Sequence, residues 1–483
     1  MAASMDGFVC PVCHGTLASS AGSSTCRGCS RVYPTLGEEI PILVPAPEAL
    51  VHDAFVRVRK QTAAIARRAA ELRAAAQTVG PSRAQVLHRI AEGMQSNRMY
   101  ADRLLAELEP LTSSARVVDA IAQLAQSDIH GTGTDYSDVG AHLRRDWSRE
   151  PECEAEVSTI VESVLAALVR YAPSADRVLV VGAGAGRFAY ELTAAVPEVI
   201  AIDRSLAMAA SVLLLRRNTH RLYEICERNV ARTEDHIRPF DLAIPGSSDS
   251  GASLERMRYA VADALAVPLP SHSVSAVVSI YFTDIVSPSS LSAEVSRLLV
   301  PGGLFVHFGP LSYQFSSSRE QLSAEELAEM FNASGYRIVD ERWVQLSSLA
   351  SDASMWKPQY RNLCMAAIRN RDANGAAGDV LDTDVLSVHA EPTIQARWRR
   401  TGGKDRWIDG SVVSPWGHEV PITEAMWTLL RLVDGRRPLE ELLALTESCM
   451  DGAVDRGAVR AALSKLLRVG IMHVEQRPAG LPV

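Results

Sequence analysis

Two cysteine pairs, Cys10-Pro11-Val12-Cys13 and Cys26-Arg27-Gly28-Cys29, stand near the start of the chain with twelve residues between them. A CxxC turn lets two thiolates meet one ion, and two such turns close a tetrahedral zinc site. Four thiolates leave no open coordination position. Cys10, Cys13, Cys26 and Cys29 are therefore expected to hold a structural Zn2+, with no catalytic role for the metal. A second chemistry-bearing stretch runs from Arg177 to Phe188 through Val178-Leu179-Val180-Val181-Gly182-Ala183-Gly184-Ala185-Gly186-Arg187. It reads as a buried parallel strand turning tightly into a helix, the place where α/β folds bind a nucleotide-like cofactor.

Two acids sharpen that reading. Asp203 closes the next apolar strand, about twenty residues on, where a carboxylate accepts both ribose hydroxyls. Asp263 ends the strand after that and is placed to meet an adenine amino group. Dinucleotide sites usually carry a third glycine, and Arg187 falls at that position here. The combination favours S-adenosylmethionine (SAM) over a nicotinamide dinucleotide. Gly182, Gly184, Gly186, Asp203, Asp263, Ala264 and Ile280 form the expected cofactor-binding set.

These residues need elements to hold them. From about residue 155 helix and strand patterns alternate: helix Glu156–Tyr171, strand Val178–Val181, helix Arg187–Ala195, strand Val199–Ile202, and strand-like Tyr259–Val261. Strand Ala276–Phe282, helix Leu291–Leu299 and strand Leu304–Phe308 complete the run. The pattern predicts an α/β fold with a Rossmann-like doubly wound sheet. Before it, residues 48 to about 78 read as a helix ended by Gly80-Pro81, and 82–130 as further helices broken at Pro110. A glycine turn, Gly131-Thr132-Gly133, precedes a helix running into Arg144-Arg145-Asp146-Trp147-Ser148.

The chain has 483 residues, 47% hydrophobic and 22% charged, so several domains with sizeable cores are expected. A net charge of −8 argues against nucleic acid or an anionic membrane as partner. The eight cysteines do not pattern as a secreted disulfide scaffold. No signal peptide is read, and the most apolar helix candidate, Leu206–Leu215, is about half the length that spans a bilayer. A cytoplasmic location is expected.

Further motifs follow in order: Arg145-Asp146-Trp147-Ser148, the glycine turn, Tyr281-Phe282-Thr283-Asp284, and Gly302-Gly303 through Gly309-Pro310-Leu311-Ser312-Tyr313-Gln314-Phe315. Leu322-Ser323-Ala324-Glu325-Glu326 and Gly335-Tyr336 come next. From roughly 135 to 370 this series resembles the carnosine N-methyltransferases. That resemblance implies a class I SAM-dependent methyltransferase fold and methyl transfer to an imidazole nitrogen of a histidine-containing dipeptide. It implies that Arg145 pairs with the methionine carboxylate of SAM and that Asp284 is the substrate-binding acid. Tyr360 lies near the family's substrate tyrosine. The chain departs from the pattern at Gln314, where the family has histidine, at His142, where it has glutamine, and at Ile202-Asp203, where it has Asn-Glu. Asp284, Tyr360 and Gln314 are the expected catalytic set.

Two flanking segments carry their own resemblances. Residues 1–47, with Tyr33-Pro34 and Gly37-Glu38-Glu39-Ile40-Pro41-Ile42-Leu43, resemble a Trm112-like zinc ribbon. Residues 396–483 resemble PqqD-like winged-helix domains: a β segment at Val412–Val420, helices Thr423–Leu432, Leu439–Leu445 and Arg456–Leu467, and a strand at Ile471–Val474. Such domains add a peptide strand to a sheet edge. Between Arg397 and Glu475 twelve Lys/Arg face eleven Asp/Glu, no phosphate footprint. The expected organisation is ribbon 1–47, helical region 48–134, methyltransferase domain 135–370, linker 371–395 and winged-helix domain 396–483. The expected partner is a small-molecule or peptide acceptor. The competing readings are an O- or C-methyltransferase of natural-product biosynthesis and a non-catalytic adaptor with a relic core.

Overall fold

The computed structural model describes residues 7–112, 139–245, 252–315, 318–370, 385–388, 393–401, 404–413, 419–434, 436–450, 454–468 and 472–476. Gly131-Thr132-Gly133 and most of the expected linker lie outside the described residues. The chain forms two compact units. One comprises Met1–Phe282, Val306–Pro310 and Glu341–Met365, the other Thr283–Phe305, Leu311–Asp340 and Ala366–Val483.

The first unit opens on four short strands, β1 (Leu17–Ser20), β2 (Ser23–Cys26), β3 (Val32–Leu36) and β4 (Ile40–Leu43), each antiparallel to the next. Helices α1 (Pro47–Ala76) and α2 (Pro81–Leu108) follow. Pro81 starts α2, where its missing N–H leaves no helical bond unmade. The two helices pack through Ala69, Leu72, Ala76, Val86, Leu87 and Ile90.

Helices α3 (Val139–Trp147) and α4 (Pro151–Tyr171) lead into the alternating part. It contains β5 (Arg177–Val181), α5 (Arg187–Leu192), β6 (Glu198–Asp203), α6 (Leu206–Arg217), the hairpin β7 (His220–Ile225) and β8 (Ile237–Leu242), β9 (Met257–Ala262) and β10 (Val274–Ile280). Further along the chain come α7 (Pro288–Leu298), β11 (Leu299–Gly309), α8 (Ala324–Ala333), β12 (Tyr336–Ser347) and β13 (Gln359–Arg369). Parts of β11, β12 and β13 belong to this unit and complete its sheet.

The sheet order is β1-β2-β3-β4-β9-β6-β5-β10-β11-β13-β12. β5, β6, β9 and β10 pair in parallel, and Val178–Val181 are buried, as a strand covered on both faces requires. The order reverses between β5 and β10, which opens a crevice at their carboxyl ends. The N-terminal strands are not detached from this sheet. β4 pairs in parallel with β9, Ile42 beside Val261 and Leu43 beside Ala262.

In the second unit Phe305 stacks on Phe331 with centroids 4.8 Å apart, and the Tyr336 and Ser296 hydroxyls are 2.9 Å apart. Ser323 and Glu326 close the start of α8 with a reciprocal capping box. The C-terminal part contributes β14 (Val385–Val388), β15 (Thr393–Thr401), β16 (Lys404–Val413), β17 (Glu419–Ile422), α9 (Glu424–Leu432), α10 (Leu439–Cys449), α11 (Arg456–Arg468) and β18 (Met472–Gln476). β15, β16 and β17 form one sheet, and β14 pairs with β18. Val412, Val420, Met426, Leu429, Leu442 and Leu463 share a core that also takes in Ala293 of α7. Among the described residues no helix is long and apolar enough to cross a membrane.

Candidate active site

β5 ends at Val181 because Gly182 turns to φ +62°. A Cβ there would lie 2.2 Å from the Phe282 ring, so glycine is required by space as well as by torsion. Gly184, at φ +54°, is different. A Cβ on it would meet nothing within 4 Å, so open space lies over the turn. Gly186, at φ +82°, is the N-cap of α5. The strand, the tight turn and the helix follow one another here in the order the sequence predicts.

Asp203 faces this turn from the end of β6. One carboxylate oxygen accepts the Gly184 N–H at 2.8 Å and the other accepts the Ser205 N–H at 2.7 Å. The carboxylate keeps acceptor capacity for a ligand hydroxyl. Burial pushes the carboxyl above its ordinary range, against the three backbone N–H groups that hold it down. Asp263 follows β9 directly. It accepts the Leu265 N–H at 2.9 Å, has the Arg204 guanidinium 4.0 Å away, and leaves its side chain 34% exposed. Ala264, just after β9, and Ile280, the last residue of β10, are both buried.

Helix α3 is locked to the turn. Trp147 donates its indole N–H to the Ala185 carbonyl at 3.2 Å, and Arg187 donates to the Asp146 carbonyl at 2.5 Å. Glu154 and Glu191 pair with the rest of the Arg187 guanidinium. Arg187 therefore occupies the third-glycine position as a structural bolt between α3, α4 and α5. The same lock brings Arg145 to the turn. Its guanidinium bonds Asp146 at 2.7 Å and lies 5.0 Å from the Phe188 centroid and 5.8 Å from that of Tyr281. Burial opposes its charge, but Asp146 and Glu156 outweigh this and hold it protonated.

Two neighbours are not legible in the sequence as site residues. Glu156 of α4 is buried, accepts the Leu349 N–H at 2.8 Å, and accepts the Ser348 hydroxyl at 3.4 Å. Burial raises its pKa. Tyr281 is in electrostatic reach of Arg145, Glu156 and Tyr360. Its φ is +52°, rare for an aromatic residue. Gly309 explains how it fits: a Cβ there would lie 3.2 Å from the Tyr281 ring. Tyr360 is 39% exposed.

In the second unit Asp284 and Gln314 are brought together through the segment 312–314. The Asp284 carboxylate accepts the Ser312 N–H at 3.1 Å, and its backbone carbonyl accepts the Gln314 N–H at 2.9 Å. Asp284 is buried, and burial lifts its pKa to about 6. The Gln314 side chain is exposed and turns back to donate to the Ser312 carbonyl at 2.8 Å.

The candidate metal site lies in the N-terminal segment. The four sulfurs of Cys10, Cys13, Cys26 and Cys29 all lie within 4.8 Å of one another. The Cys10–Cys29 and Cys13–Cys26 separations are 3.7 and 3.4 Å. Thiolates about 2.3 Å from a tetrahedral zinc lie roughly 3.8 Å apart, so the donor set fits that ion. The Tyr33 hydroxyl, 3.0 Å from Cys10, and the Gly28 N–H, 3.3 Å from Cys26, support the sulfurs from outside.

The first βα turn at the switch point, the acid ending the second strand and the strand order define a class I SAM-dependent methyltransferase fold. Residues 134–371 match the family model described as carnosine N-methyltransferase. Among curated relatives, "Carnosine N-methyltransferase unmet" of Drosophila melanogaster is 28% identical over 242 residues, 46% of this chain and 52% of that protein. The carnosine N-methyltransferase of Mus musculus is 26% identical over 235 residues, 45% and 58% of the two. The chain thus spans a little over half the length of the curated relatives it matches. Solved structures with distant likeness include magnesium protoporphyrin IX methyltransferase (ChlM) from Synechocystis PCC 6803 with bound SAM. It has TM-score 0.31 and 12% identity, over 49% of this chain and 92% of that one. The YcgJ protein from Bacillus subtilis has TM-score 0.30 and 14% identity, over 45% and 99%.

Proposed function

We propose that this protein is a SAM-dependent N-methyltransferase that methylates an imidazole-type nitrogen of a histidine-containing small molecule or peptide. The observation that carries the reading is Asp284, a buried carboxyl that accepts the Ser312 N–H at 3.1 Å and lies inside the segment matching the carnosine N-methyltransferase model.

Bound SAM supplies an electrophilic sulfonium methyl. Gly184 leaves room for it, Asp203 offers acceptors to its ribose, and Arg145 offers a guanidinium to its carboxylate. Asp284 holds the N–H of one acceptor ring nitrogen. This fixes the tautomer and leaves the lone pair on the other nitrogen. The same carboxylate then stabilises the imidazolium, as the aspartate of a catalytic triad does. Tyr360 and Gln314 contact the acceptor in this reading. The C-terminal part is assigned the presentation of a peptide acceptor. Its core packs on Ala293 of α7, the helix that follows Asp284 in the same unit.

A screen with methyl-labelled SAM tests this. Carnosine, free histidine and histidine-containing peptides are offered, and at least one is expected to gain label. Label only on oxygen or carbon acceptors would favour the competing methyltransferase reading.

A further inference from the structure

Tyr281 carries a feature that the proposed reaction leaves unused. Its hydroxyl is shut off from solvent and has no hydrogen-bond partner of normal geometry among the described residues. Its backbone is held at φ +52°. The ring is fixed edge-on against Phe308, with centroids 6.0 Å apart, and abuts Gly309. Strain of this kind persists only where the surroundings over-determine it, and it clusters at ligand sites. An unpaired buried hydroxyl is costly unless a ligand completes it.

The surroundings name the ligand group. The Arg145 guanidinium lies 5.8 Å from the ring centroid, and its own bonded partner is the neighbouring Asp146. The Ser348 hydroxyl is the nearest candidate partner of Tyr281, in reach of it but outside normal hydrogen-bond geometry, and it donates to Glu156 at 3.4 Å. Glu156 in turn also accepts the Leu349 N–H. With Glu156 turned to its own donors, the Tyr281 ring has the Arg145 cation over it and its O–H has no acceptor of normal geometry among the described residues. A carboxylate supplies that acceptor.

We propose that the Tyr281 hydroxyl is a second donor to the carboxylate that Arg145 holds, so that the two side chains together read the amino-acid end of the cofactor. The inference rests on the SAM-binding reading above. Tyr281 is a positioning residue here and takes no part in the methyl transfer itself.

The test compares two probes, S-adenosylhomocysteine and its decarboxylated analogue, by calorimetry on the full chain and on Tyr281→Phe. A hydrogen bond to a charged group corresponds to a loss of about tenfold or more in affinity. Tyr281→Phe is expected to weaken S-adenosylhomocysteine binding by that factor and to leave the analogue within about twofold. The variant should also melt no lower than the wild type, since it removes an unpaired buried hydroxyl. Unchanged affinity for both probes overturns the proposal, and so does an equal loss for both, which marks a packing role. A wild type that binds neither probe overturns the cofactor reading as well, an outcome distinct from the other two.

Discussion

The Asp203 carboxylate accepts the Gly184 N–H at 2.8 Å, which ties the end of β6 to the turn after β5. One acid therefore shapes the turn and also keeps acceptor capacity for what lies over it. Asp203→Ala removes both. S-adenosylhomocysteine affinity is expected to fall by at least about tenfold in calorimetry, the scale of a charge-assisted bond. Wild-type affinity in this variant would remove Asp203 from the site.

Gly182 and Gly184 should separate under substitution. Gly182→Ala drives a Cβ into the Phe282 ring and bears the left-handed torsion as well, and should lower stability by about 2–5 kcal/mol in denaturant unfolding. Gly184→Ala meets open space and bears only the left-handed torsion, roughly 1–2 kcal/mol. Its main effect is expected on cofactor affinity. Equal stability costs with intact binding in Gly184→Ala would mean that the space over the turn is not a cradle.

Asp284 sets an acid limb. With its pKa raised to about 6 by burial, it ionises between roughly pH 5 and 7. Activity that needs the carboxylate should rise through that window and then level, and Asp284→Asn should abolish turnover. The stability sign is opposite to that of a salt-bridged acid. The native state holds this proton above the unfolded value, so the contribution to stability is present below about pH 4 and is lost as pH rises through 6. A kcat/KM profile flat from about pH 5 to 8 would contradict the role.

The ribbon should bring zinc into the main sheet's stability. β4 is both the last ribbon strand and the parallel neighbour of β9. Chelation, or Cys26→Ser, is expected to release about one zinc per chain and to lower Tm by several degrees, because binding energy of a structural site is folding energy. Absence of zinc from freshly purified protein would count against the site.

Much of this architecture is legible in the sequence because the signals are local. The glycine turn needs torsions that only glycine gives cheaply, and Asp203 is one strand away from it in sequence. The CxxC turns set their sulfurs within a few residues. The features without a sequence signal depend on distant partners. Ile40-Pro41-Ile42-Leu43 reads as the end of a ribbon, and nothing local tells that it pairs with Val261 and Ala262. The β7–β8 hairpin is hidden because Pro239 interrupts an otherwise strand-like run. In the fold Pro239 sits opposite Tyr223, whose backbone N–H and C=O are both bonded by the Asn97 side chain of α2. The strand expected to run to Phe282 stops at Ile280, because Tyr281 adopts its positive φ against Gly309. Strand β11 begins at Leu299, earlier than the expected Leu304, with Pro301-Gly302-Gly303 inside it.

In the proposed reaction Asp284 directs a SAM methyl group to an imidazole nitrogen. The most direct measurement is single-turnover transfer from labelled SAM to the best imidazole acceptor. The wild type is compared with Asp284→Asn, and the methylated atom is assigned by NMR. Label is expected on one ring nitrogen with the wild type. Asp284→Asn should bind S-adenosylhomocysteine as tightly and transfer no label. Equal transfer by the variant, or a methyl group on any atom other than a ring nitrogen, would contradict the proposed reaction.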